Sequence, residues 1–108
     1  MVIALEVDAV IMRDDELILV EVKYLSRINV AERIVRAAID RISHGVENSP
    51  KLRNAWPKIM LILVFKNEND LVRTQQTLKA IAELSSLTVT LRCYVFEELQ
   101  KRFEGKEE

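Results

Sequence analysis

Two apolar, β-branched runs near the N-terminus, Val2–Met12 and Leu17–Leu25, are separated by the polar tetrapeptide Arg13-Asp14-Asp15-Glu16. This break constrains the chain more than any other feature, because it predicts an antiparallel hairpin and its register. With Asp14-Asp15 as a two-residue loop, opposing residue numbers add to the same total as 14 and 15. Met12 then faces Leu17, Val10 faces Leu19, Asp8 faces Glu21 and Glu6 faces Lys23. Alternate residues of a strand share a face, so all eight side chains lie on one side of the sheet. One end of that face is apolar and suits a core; the other gathers three acids and a lysine.

Beyond the hairpin the apolar period changes. Val30, Ile34, Val35, Ala38 and Ile42 recur at helical spacing, which predicts a helix over Asn29–His44 with Gly45 as its stop. A polar connector follows, from Asn48-Ser49-Pro50 to Trp56-Pro57, with Trp56 as its anchor and His44 as a helix-end cap. Lys58–Lys66 reads as a strand covered on both faces. Leu71–Leu84 reads as a helix, its start capped within Asn67–Asp70. Leu71, Leu78, Ile81 and Ala82 turn inward, with Val72 a further inward candidate. Thr88–Phe96 is the last strand, and the charged tail ends in a short helix.

The expected fold is therefore α/β, in the order β-β-α-β-α-β, with a mixed sheet flanked by helices. One domain over 1–97 and a charged tail over 98–108 suit a chain of 108 residues. Net charge is −1, which does not favour strong unspecific attraction to nucleic acid. No apolar stretch reaches the roughly 20 residues that span a bilayer. No secretory leader is evident, and the single Cys93 reads as a reduced core thiol, so a cytoplasmic location is expected. No glycine-rich phosphate loop, zinc-ligand cluster or Ser/His/Asp set is visible.

The polar end of the hairpin carries the chemistry. Carboxylates of Asp8 and Glu21 about 5 Å apart across the strands would repel by roughly 3 kcal/mol at an effective dielectric near 20. A divalent cation removes that penalty, and Mg²⁺ or Mn²⁺ takes such oxygens readily. Lys23, one pleat beyond Glu21, can orient water or offset charge on a phosphoryl group. The bland alternative is a solvated hairpin face with a Glu6–Lys23 pair, which explains those two residues but not Asp8 opposite Glu21. Arg27, Arg33 and Arg36 are candidates for phosphate contacts beside the site. Arg41 is a further candidate, although helix solubility explains most of these arginines.

Val7-Asp8, twelve intervening residues and then Glu21-Val22-Lys23 resemble the PD-(D/E)xK motif of restriction-endonuclease-like nucleases. The spacing is similar to that of archaeal Holliday-junction resolvases. The resemblance implies a metal-dependent endonuclease acting on DNA, with catalytic Asp8, Glu21 and Lys23 and Mg²⁺ or Mn²⁺ as cofactor; the edge left exposed by the strand missing from the family's pattern invites a homodimer. Two departures accompany it. Val7 stands where the motif has proline, and the helix and strand that usually precede the aspartate strand are lacking, together with the glutamate that helix often carries. Glu6 is the candidate replacement ligand. The departures also motivate two other expectations: a catalytically inactive domain used for dimerisation or DNA binding, or a fragment of a larger nuclease.

Overall fold

The computed structural model describes residues 5–105, so the start of the first expected strand, at residues 2–4, lies outside the described residues. The hairpin forms as its polar break dictates. Strand β1 (Ala9–Arg13) pairs antiparallel with β2 (Glu16–Leu25), with Met12 opposite Leu17 and Val10 opposite Leu19. Asp14 and Asp15 both have positive φ, 47° and 68°, the signature of a type I′ turn whose twist matches that of the strands. A single 3₁₀ turn at Ile28–Val30 leads into helix α1 (Ala31–Glu47).

Helix α1 runs two residues past Gly45, which is not its stop. The glycine serves a close approach instead: a β-carbon there would lie 2.8 Å from Leu5 Cδ1. His44 sits in the last turn, with its Nε2 2.9 Å from the Asn48 side-chain nitrogen. The expected connector contains a short helix, α2 (Pro50–Ala55). Ser49 Oγ accepts from Leu52 N at its start, and Pro50 occupies the first turn, where its missing N–H costs nothing. Trp56 is not an anchor. It is 66% exposed with φ 49°, and the neighbouring Pro57 is buried in its stead.

Strand β3 (Lys58–Phe65) pairs parallel with β2, and β4 (Val89–Val95) pairs parallel with β3. Between them lies α3 (Glu68–Glu83), which begins three residues before the expected Leu71. Asn67 Oδ1 accepts from Asp70 N at 2.9 Å, and Glu68 and Asp70 favour the positive end of the helix. Val72 points outward, 68% exposed. Helix α4 (Phe96–Gly105) follows β4 directly.

The sheet order is β1-β2-β3-β4. Both parallel crossovers step in the same direction, and right-handed connections then place α1 and α3 on the same face. Helices α1 and α3 therefore pack on one face of the sheet and against each other. Strand β3 alternates accordingly: Ile59, Leu61, Leu63 and Phe65 are buried, whereas Met60, Ile62 and Val64 are only partly covered. The core joins those four residues to Leu19 and Leu25 of β2, to Val35, Ala38 and Ile42 of α1, and to Leu78 and Ile81 of α3. On the opposite face Val22 and Tyr24 are exposed, and the Phe96 ring lies 5.9 Å from that of Tyr24.

Candidate active site

Strand β2 is central, and its odd-numbered residues face the helices. Leu17, Leu19 and Leu25 use that face for packing. Glu21 and Lys23 occupy it too, aligned with the fully buried Leu61 and Leu63 of β3. Glu21 is consequently only 5% exposed. A carboxylate so placed must have charged or hydrogen-bonding partners.

Those partners come from the segment before β1 and from α1. The β1–β2 ladder stops at Ala9 opposite Val20. In a two-residue hairpin the hydrogen-bonded pairs are 13/16, 11/18 and 9/20, so Val22 N–H would next donate to the carbonyl of Val7. It donates instead to Asp8 Oδ2 at 2.7 Å. The side chain replaces the ladder carbonyl, and the chain leaves the sheet. Residues 5–8 are therefore not strand, in contrast to the Val2–Met12 expectation, and Glu6 does not face Lys23 across a ladder. The departing segment lies against α1: Leu5 meets Gly45, and the Glu6 carbonyl accepts from Arg41 Nη1 at 2.6 Å. The second guanidinium nitrogen of Arg41 donates to Glu21 Oε2. Lys23 Nζ lies 3.6 Å from that same oxygen.

The result is an open cleft of about 360 Å³ lined by Glu6, Val7, Asp8, Glu21, Lys23 and Arg41. The Val22 amide holds the Asp8 carboxyl below the usual carboxylate range. Contact with Glu21 and the charges of Lys23 and Arg41 add to this, and desolvation opposes it. Asp8, Glu21, Lys23 and Glu6 thus line one cleft, although the expected 8/21 and 6/23 pairs do not form in the ladder. Arg27, Arg33 and Arg36 are exposed and none lines it. Among the described residues no group of three or more His, Cys, Asp or Glu side chains has an arrangement able to hold a metal ion. Three acids (Glu6, Asp8, Glu21) meet two bases (Lys23, Arg41) there, and the nearest countercharge of Glu21 is the guanidinium of Arg41.

Sequence reasoning placed Arg41 among several helix arginines and did not single it out. A signal was present: Ile34, Ala38, Arg41 and Gly45 follow helical spacing, so Arg41 shares a stripe with a partly buried, a buried and a closely approached residue. Cys93 is half-buried with its thiol pushed up by burial, and lies apart from the cleft. Among the described residues no helix is long and apolar enough to cross a membrane. Compared with protein-family models, with curated proteins and with solved structures, the chain gives no match, so the chemistry of the cleft is read from its own residues.

Proposed function

We propose that the cleft is the site of a metal-dependent endonuclease that hydrolyses phosphodiester bonds of DNA, of the PD-(D/E)xK type. The observation that carries this reading is the convergence of Asp8, Glu21 and Lys23 on one side of β2, in a cleft open to solvent. The donor type in the cleft, carboxylate oxygen, is the one that a hard cation such as Mg²⁺ or Mn²⁺ prefers. Asp8 and Glu21, which line the cleft together, are the residues that would hold such an ion. Glu6, at the cleft wall, is the candidate third ligand. When bound, the cation supplies Lewis-acid polarisation of a phosphoryl oxygen and a more acidic water.

The residues of the chain supply the rest. The Val22 amide fixes Asp8 in its ionised form and in one orientation. Burial restricts Glu21 to a single direction. Lys23, half-exposed beside Glu21, presents an ammonium to the non-bridging oxygens of a phosphodiester or to the attacking water. Arg27, Arg33 and Arg36 serve as phosphate contacts outside the cleft, where they add affinity but no sequence preference. The expected partner is DNA. A homodimer is supported by β1, an edge strand whose five residues are all exposed.

Cleavage of supercoiled plasmid with Mg²⁺ or Mn²⁺ tests the reading. Asp8→Ala and Lys23→Ala should each reduce metal-dependent cleavage at least about 100-fold; full activity in both variants would exclude the mechanism. One observation favours a second reading, a catalytically inactive domain of this fold used for dimerisation or DNA binding. Two cations of the chain itself already offset most of the acidic charge. Absence of Mn²⁺ binding at millimolar concentration would support that alternative.

A further inference from the structure

Resting on the metal-site reading, we infer that Arg41 is a built-in counter-ion in the place of the cation, so that Arg41 and a divalent ion compete for Glu21. Glu21 is buried, where a carboxylate needs a partner of opposite charge. Arg41 provides its closest charge, and the same guanidinium also holds the Glu6 carbonyl at 2.6 Å. One planar cation thereby bridges the departing N-terminal segment and the central strand, between the groups that a metal would draw together.

The two partners differ in how easily they can leave. The Glu21 side chain is 7% accessible, whereas that of Arg41 is 45% accessible. Arg41 can swing into water and keep its hydration; Glu21 cannot. Charge balance points the same way. Three acids and two bases leave the cleft at −1, and a divalent ion beside both bases would take it to +1. The arriving cation repels the guanidinium, which has open solvent to move into.

Mn²⁺ titration followed by the electron paramagnetic resonance of the free ion tests this on the wild type, Arg41→Gln and Glu21→Gln. Arg41→Gln should bind Mn²⁺ at least about fivefold more tightly than the wild type, the lower end of ordinary coupling between sites. Glu21→Gln should abolish binding. A titration of the wild type with Mg²⁺, followed by the Arg41 Nε–Hε resonance, needs no variant to fold. That signal should move toward the position of a solvated arginine as the ion binds. Equal or weaker Mn²⁺ binding by Arg41→Gln, or an unmoved Arg41 signal at Mg²⁺ saturation, overturns the competition and leaves the metal site standing. No Mn²⁺ bound by either wild type or Arg41→Gln overturns the metal site as well.

Discussion

The two halves of this molecule stabilise the same sheet by different means. From β3 onward, the helix-facing residues are apolar: Ile59, Leu61, Leu63, Phe65, Leu78 and Ile81 are buried together. The buried polar group there, Thr74, is satisfied within its own helix by the Asp70 carbonyl at 2.7 Å. Before β3, the same face of the sheet is interrupted by Glu21 and Lys23. That interruption is stabilised by the contact between Lys23 and Glu21 and by groups from elsewhere: Arg41 on Glu21, itself held by the Glu6 carbonyl, and Asp8 on the Val22 amide. The C-terminal half is a scaffold, and the N-terminal half uses that scaffold to hold charge out of water. Apolar burial is indifferent to partners, whereas buried charge depends on every one of them.

Substitutions can break or sharpen that contrast. The largest effect belongs to the scaffold. Leu63→Ala, at a fully buried position beside Lys23 in the register, should cost about 2–5 kcal/mol in urea unfolding. Glu21→Leu should cost less, about 1–3 kcal/mol, because half-exposed Arg41 can return to water. Adding Arg41→Leu to it should restore stability to the wild-type level or above, as apolar replacement of both partners often does. Further loss in the double variant would show that the pair stabilises the fold in itself. In both cases the readout is the urea midpoint at constant slope.

Gly45→Ala gains up to about 1 kcal/mol of helix propensity but drives a β-carbon into Leu5. The expected sign is a net loss of about 1 kcal/mol. It should be accompanied by faster hydrogen exchange at the Val22 amide as Asp8 is pulled from it; unchanged exchange would mean that the segment does not transmit the push. The smallest effect is one of pH. Because the folded state lowers the pKa of Asp8 from 3.8, its stabilising contribution is complete above that value. It disappears as pH falls through the folded value. The gap in Tm between wild type and Asp8→Ala should therefore narrow below pH 3.8. A constant gap would mean that the Val22 amide does not prefer the charged form.

Much of this was legible in the order of residues. Asp14-Asp15 between two apolar runs set the register of the ladder from Ala9/Val20 to Arg13/Glu16; Asp8, expected opposite Glu21, lies just beyond its end and lines the cleft with Glu21 and Lys23. The change of period at Val30 marked α1, and the final strand was placed within a residue of each end. What escaped depended on competition between groups distant in the chain. Nothing local says that the Asp8 carboxylate will take a hydrogen bond due to the carbonyl of Val7, yet that substitution ends β1 and turns Glu6 away from Lys23. Packing of α1 and α3 on one face of the sheet follows from the direction of the crossovers, which the apolar run of β3 does not reveal. Arg41 gains meaning only when α1 is docked, since its partners are separated from it by 20 and 35 residues. Trp56 was misjudged because a large aromatic next to proline suggests burial, whereas Pro57 fills that place.

The two acids of the cleft also differ in what carries them, and this gives them different lifetimes. Glu21 belongs to a ten-residue strand with neighbours on both sides, whereas Asp8 immediately precedes a five-residue strand that lies exposed at the edge. Strand β1 can detach and return while the rest stays folded, at a free energy well under that of global unfolding. Each such excursion takes Asp8 from the cleft and leaves Glu21 and Arg41 paired. The fraction of molecules with both acids in place is then set by the fraying of one short strand.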